Sequence, residues 1–271
     1  AFVIIQFQYF FGGQANIHLD GYTYAEYARK GFGELVTVAF FALLLFLGLN
    51  GITRRDTPAR RKIFSGLGLA LLALVAVMLV SAYQRLVLYE TAYGFTRLRT
   101  YTHVFMVWVA ILLAVVVLLD LLQRQRAFAL AALLAALGFA LSLTLLNVDA
   151  FIFRRNLARF EQGQSLDVGY LASLSPDAVP GMVKVFEASA ENSPARDHLG
   201  AALACIQFAN ATTKHDLSWQ AYHLSDYRSW GALQRVATTL KFYKMDASSW
   251  PVKVTTPLGV QFDCASMTGG D

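Results

Sequence analysis

Four uncharged and strongly apolar stretches run along the first half of the chain, at Leu35 to Thr53, Ile63 to Gln84, Thr100 to Leu119 and Ala127 to Val148. At about 1.5 Å per residue, each is long enough to cross roughly 30 Å of hydrocarbon as a helix. The pattern therefore predicts an all-α membrane protein, a polytopic transmembrane helix bundle over residues 1–148, followed by a soluble tail over 149–271. Small residues recur at helical spacing, with Ala131, Ala135 and Gly138 in the last stretch and Gly66 and Ala70 in the second. Backbones approach closely at such positions, and van der Waals packing is the main glue between helices in lipid.

Before the first full span, an apolar run over residues 1–11 reads as the end of a helix, preceded by further membrane helices. It lacks the basic n-region of a signal peptide. The segment Tyr22 to Gly31 follows, in which Thr23 and Glu26 have capping-box spacing and three tyrosines stand beside Arg29 and Lys30. That composition suits an interfacial helix, with rings in the acyl boundary and polar tips among headgroups. A gate facing a ligand is the other reading.

After Val148 the composition becomes that of a soluble segment punctuated by Pro176, Pro180, Pro194, Pro251 and Pro257. Helices are predicted at Asp149 to Glu161, ending near Gly163, and at Pro194 to Phe208, with Ser193 as N-cap and Pro194 in the first helical position. A further helix from Asp226 to Phe242, with Ser225 as N-cap, is predicted from the helical spacing of Trp230, Leu233, Val236, Ala237 and Leu240. Val252 to Thr255 and Val260 to Phe262 read as a short strand pair around Pro257 to Gly259. The tail is thus expected to be mainly helical with one strand pair. Residues 265–270 resemble part of a bacteriophage-derived expression tag, and no function is expected there.

Composition supports this division. Hydrophobic residues make up 56% and charged residues only 15% of the 271, too apolar a balance for an ordinary soluble domain of this size. Residues 1–146 carry 12 Lys+Arg against 6 Asp+Glu, and residues 147–271 carry 11 against 12. The basic excess therefore belongs to segments between spans, where it orients helices and faces headgroups, and nucleic acid is excluded as its explanation. Arg54, Arg55, Arg60, Arg61 and Lys62, with Arg124 and Arg126, place seven basic residues in two short loops. If these loops face the cytoplasm, the tail is extracytoplasmic.

Three motifs in order, Gly21 to Phe32, Tyr89 to Arg99 and Asn147 to Arg159, resemble a bacterial integral-membrane family filed only as a domain of unknown function, numbered 4173 and related to 4153. The resemblance runs from the first residues to at least Gln234. It implies a polytopic membrane protein of the bacterial cytoplasmic (inner) membrane with more helices upstream, and it brings no catalytic residues.

Candidate chemistry gathers at the span ends. Arg85, Glu90, Arg97, Arg99 and His103 crowd the connection between the second and third spans, together with Tyr83, Tyr89, Tyr93 and Tyr101. Charges at a membrane boundary pair or snorkel, which makes an ion-paired loop the plain reading. An anionic-headgroup or phosphate pocket with guanidinium forks is the functional one, in which Glu26 and Glu34 would serve as acid/base groups or salt-bridge partners. Glu34 and Asp120 sit at span ends, and no span carries a central ionisable group of the kind a proton or ion path needs.

His215, His223 and Asp226, with Asp197 and His198, lack zinc-ligand spacing, so no metal is expected. No cofactor is expected either, because phosphate-loop, dinucleotide and Gly-x-Ser-x-Gly patterns are absent. Cys205 and Cys264 are the only cysteines, and an extracytoplasmic tail would permit a disulfide between them. The expected partners are the lipid bilayer and an envelope protein that meets the tail. The expected role is that of a sensor, scaffold or docking protein rather than an enzyme. A membrane enzyme acting on a lipid-linked or envelope substrate at the Tyr/Arg/Glu-lined interfacial loops is the alternative, and part of a transporter the second alternative.

Overall fold

A computed structural model of the chain describes residues 57–212, 223–248 and 250–265, with scattered positions between 37 and 49. The expected helices at 1–11 and 22–31 and most of the first span, Leu35 to Thr53, lie outside the described residues. The chain is mostly helical, with a small antiparallel sheet near its C-terminal end. It divides into two compact units, Ala1–Leu145 and Leu146–Asp271.

Among the described residues of the first unit, three helices are long and apolar enough to cross a membrane: α1 (Pro58–Tyr93), α2 (Arg97–Leu121) and α3 (Phe128–Leu146). Helix α1 starts five residues before the expected span because Thr57 accepts a hydrogen bond from the Arg60 N–H at 3.4 Å and Pro58 fits the first turn. Arg60 and Lys62 are thereby exposed in a helical first turn rather than in a loop. At the other end the helix runs nine residues past Gln84 and stops at Gly94. There φ is +81° and the N–H donates to the Glu90 carbonyl at 2.8 Å, a conformation that favours glycine. Thr96 then caps α2.

Helices α1 and α2 form a hairpin with a seam of alternating three- and four-residue steps. On α1 the seam is Gly68, Leu72, Val75, Leu79, Ala82 and Leu86; on α2 it is Met106, Val109, Leu113, Val116 and Asp120. Such spacing keeps one stripe facing a partner helix along the whole contact. The expected Gly66 and Ala70 stripe is not this seam. Both residues are exposed, and a Cβ placed at Gly66 would meet nothing within 4 Å.

The stripe on α3 receives α2 at Gly138. The Trp108 ring from α2 occupies the space a side chain there would need, so Gly138 admits the indole. Trp108 Nε1 donates to Ser142 Oγ at 3.0 Å, and Ser142 donates back to the Gly138 carbonyl at 2.7 Å. Phe105 and Phe139 meet edge to face beside them.

The last expected span, Ala127 to Val148, ends two residues early. Asn147 takes a left-handed conformation at φ +47° and accepts from the Ala150 N–H at 3.4 Å, which starts the next helix, α4 (Val148–Glu161), at Val148. Its buried face, Val148, Ile152, Phe153 and Leu157, opens the core of the second unit. The two short helices that follow, α5 (Val168–Ala172) and α6 (Val179–Ala188), carry too few turns for their periodicity to stand out in the sequence.

Helix α7 (Pro194–Thr212) is the hub of this unit, packing against α5, α6, the sheet and α8 (Leu224–Leu240). Ser193 Oγ accepts from the Arg196 N–H at 3.3 Å as its N-cap, and the helix runs four residues beyond the expected Phe208. Helix α8 begins before the expected Asp226. His223 holds the cap position, without a side-chain hydrogen bond, and Ser225 lies inside the first turn.

The expected strand pair is a three-stranded antiparallel meander in the order β1 (Lys244–Asp246), β2 (Lys253–Thr255), β3 (Gln261–Asp263). Met245 pairs with Val254, and Val254 with Phe262. The extra strand, Lys-Met-Asp, has no β-branched or aromatic residue. It is a strand only because the buried central Val254 recruits it.

Candidate functional site

The open end of the α1/α2 hairpin brings together part of the predicted charge cluster. Glu90 is buried near the C-terminal end of α1, and His103 lies on the second turn of α2 with its Nδ1 2.9 Å from Glu90 Oε1. The two groups lie within ion-pair distance without meeting the geometry of an aligned hydrogen bond. His103 Nε2 is buried and has no hydrogen-bond partner among the described residues. Tyr83 covers the imidazole edge to face, with ring centroids 5.0 Å apart.

Arg99 is committed locally. Its guanidinium donates to the Gly94 carbonyl and lies 3.9 Å from the centre of the Tyr89 ring, which in turn meets Tyr93 edge to face. One arginine thus closes the turn and stacks on an aromatic. Arg85 is buried one turn before Glu90, and Arg97 is half-buried at the start of α2. Thr100 and Thr102, both buried, return their hydroxyls to the Thr96 and Leu98 carbonyls, which removes two polar groups from the seam. Glu26 and Glu34, proposed from sequence to share this site, lie outside the described residues.

The opposite end of the hairpin carries a second polar pair that the sequence reading missed. Ser65 Oγ donates to the carboxylate of Asp120, which is 1% exposed. Asp120 stands at a span end in the sequence. The signal for its partner was present, since Ser65, Gly68 and Leu72 continue the three-and-four spacing of the seam by one step. Polar members at both ends of an apolar seam are costly to slide into hydrocarbon, so they hold the helices in one register.

In the second unit, Cys205 on α7 and Cys264 just after β3 are joined by a disulfide. The meander is further tied to α7 by Thr256, which donates to the buried Asp197 carboxylate at 2.7 Å, and by His198, set between the tilted rings of Phe160 and Phe262 with Nδ1 2.8 Å from the Pro194 carbonyl. Tyr243 lies over Gly200, where a Cβ would strike its ring, and donates to the Arg196 carbonyl at 3.3 Å. Burial, then the nearby Asp197 carboxylate, pushes the Tyr243 phenol up to about 12. Arg196 donates to the Phe186 and Ser189 carbonyls at 3.0 and 2.8 Å and so caps the end of α6.

Of the histidines weighed as ligands, His198 is engaged in packing, His223 begins α8, and His215 lies outside the described residues. Among the described residues no group of three His, Cys, Asp or Glu side chains gathers as a ligand set.

A protein-family profile described as "Domain of unknown function (DUF4153)" matches residues 1–185. The motif resemblance placed 4173 first and 4153 as its relative; the match falls on 4153. It covers the first unit and continues through α4 and α5 into α6. No curated protein and no solved structure matches the chain.

Proposed function

We propose, from the premise that this chain belongs to the DUF4153 family, that it is an envelope protein of the bacterial inner membrane whose extracytoplasmic C-terminal unit docks a protein partner. The observation that carries this reading is where the second unit leaves its large apolar side chains exposed. Among the described residues from 147 onward these are Leu224, Tyr227, Trp230, Phe242, Trp250, Leu258 and Val260, all from residue 224 on, while residues 147–212 expose none. A fold that buries its apolar groups so thoroughly elsewhere retains such side chains where something else covers them, and tryptophan and tyrosine are the usual anchors of protein interfaces. The Cys205–Cys264 disulfide supports an oxidising compartment for this unit.

At the hairpin end, Glu90 meets His103 and Arg99 meets Gly94 and Tyr89. These contacts favour a tie between spans over a ligand pocket. A photo-crosslinker at Trp230 in living cells is expected to trap one partner reproducibly, and one at exposed Gln164 is not. Equal trapping at both positions, or none, overturns the docking role. A thiol introduced by Gln164→Cys is expected to react with a membrane-impermeant reagent in intact cells. Reaction only after permeabilisation overturns the sidedness.

A further inference from the structure

Helix α3 has no length to spare. Its 19 residues rise about 28 Å, close to the roughly 30 Å of a bilayer's hydrocarbon core. Leu146 therefore stands at the hydrocarbon boundary if α3 spans the membrane, and α4 begins two residues later with Asn147 as its cap. Arg155 Cα lies at most about 18 Å from Leu146 Cα, because two chain steps and seven helical rises allow no more. An arginine side chain shortens that gap further by snorkelling toward the headgroups.

The two faces of α4 differ sharply. Its buried face is apolar except for Asp149 and Asn156, and Asp149 is occupied in accepting from the Ser175 N–H at 2.6 Å. The exposed face carries Arg154, Arg155 and Ala158, with the Arg155 guanidinium 5.4 Å from the centre of the half-buried Phe151 ring. Arg159 flanks this face, and its one acid, Glu161, comes a turn and a half after Arg155, further from the membrane exit. A helix that leaves the bilayer with an exposed pair of guanidiniums beside an aromatic ring has the chemistry of a headgroup-binding surface: positive charge for phosphate, fork geometry for its oxygens, and a ring for the glycerol boundary.

The geometry points to the exposed face of α4, centred on Arg154 and Arg155, as a docking surface for anionic phospholipid headgroups, which holds the second unit down on the bilayer. This rests on α3 spanning the membrane and not on which side the tail occupies.

The test uses the full chain in nanodiscs, with Ala158→Cys carrying an environment-sensitive fluorophore; Cys205 and Cys264 are disulfide-bonded, so the label has one target. In phosphatidylglycerol-containing discs the emission is expected to shift to the blue relative to pure phosphatidylcholine discs, and brominated anionic lipid to quench it. Salt should reverse both effects. Arg154→Glu with Arg155→Glu is expected to lower the docked population by more than the roughly 30-fold that losing two arginine contacts implies. The Arg154→Gln/Arg155→Gln pair keeps the packing and should give about that 30-fold loss.

Identical spectra in both lipids overturn the proposal, as does a lipid response that survives the glutamate pair. A shift produced by inorganic phosphate in phosphatidylcholine discs assigns the face to free phosphate instead and overturns the lipid reading. Failure of the chain to enter nanodiscs overturns the spanning premise and the proposal with it, whereas entry without a charge-dependent shift overturns the proposal alone.

Discussion

Helices α3 and α7 are both 19 residues long, and they solve opposite problems. No residue of α3 is buried, and Leu130, Leu133, Leu134, Leu137, Leu141 and Leu145 all point outward. Helix α7 buries nine of its residues, among them the unbroken run from Leu199 to Ile206, and exposes residues only near its two ends. One helix is apolar all round and turns its leucines outward, as a helix suited to hydrocarbon does, and the other is enclosed over two turns by the elements of its own unit. Exposed leucine on α3 is therefore ordinary, whereas exposed Trp230 on α8 is the feature that the proposed docking role accounts for.

Truncating the same side chain on each helix is the strongest way to break that comparison. Leu203→Ala, at a position with no exposure, is expected to destabilise the second unit by about 2–5 kcal/mol. Leu141→Ala, at 62% exposure, should change the first unit by no more than about 0.5 kcal/mol in lipid. Hydrogen exchange of the full chain in nanodiscs reads both units at once. Equal effects would mean that α3 is packed against protein over its whole surface.

Next in size is the disulfide, which closes a separation of 59 residues. Cys205→Ser is expected to cost the second unit about 2–4 kcal/mol and to leave the first unit unchanged. Reductant should have the same effect on the wild-type chain and none on the variant, read as the midpoint of urea unfolding.

Within the hairpin, Glu90→Ala removes the carboxylate 2.9 Å from His103 Nδ1 and is expected to cost about 1–3 kcal/mol. Pairing it with His103→Ala should recover part of that loss in a double-mutant cycle. Independent effects of the two substitutions would dissolve the tie between α1 and α2 at this end. Trp108→Phe deletes one hydrogen bond to Ser142 and should weaken the α2/α3 contact by only about 0.6 kcal/mol, measured by steric trapping in bicelles.

The smallest effect at neutral pH belongs to Tyr243. Its folded pKa is raised from 10.0 to about 12, so it contributes stability that is fully present below pH 10 and lost as pH rises through about 12. Alkaline titration of the second unit followed by circular dichroism should show that loss, and Tyr243→Phe should flatten it. The first unit, whose packed seam is almost wholly apolar, should respond far less over the same range.

Much of this architecture could be read along the chain. The apolar stretches predict the three described spanning helices, α2 and α3 to within about three residues at each end and α1 with overshoots of five and nine residues, because hydrocarbon thickness imposes a minimum length that composition reports directly. Ser193 followed by Pro194 announces the start of α7 for a local reason, the need to satisfy free N–H groups and to fix φ. The crowding of Glu90, Arg99 and His103 is legible as well, because the three lie within four turns of a tight reversal.

Sequence could not say which of those charges would meet. Glu90 takes His103, while Arg99 turns to Gly94 and Tyr89, because side chains on antiparallel helices meet according to register and register is a property of the pair. The same limit hid Ser65 from Asp120 and Thr256 from Asp197, pairs 55 and 59 residues apart. Strand β1 was invisible because its pairing energy comes from Val254 rather than from its own residues.

By itself, then, the sequence determined which half carries apolar helices of membrane-spanning length, the number and approximate extent of the described ones, and the caps that begin several helices. All of these follow from the free energy of transferring a local segment or from backbone groups a few residues apart. Only the tertiary structure decided that Gly138 receives Trp108 while Gly66 stands open, that α7 becomes the hub to which Tyr243, Thr256 and Cys264 fasten the meander, and that Arg154 and Arg155 share the exposed face of α4. Those outcomes depend on which surfaces meet in space, and a side chain's role follows from the neighbour it acquires there.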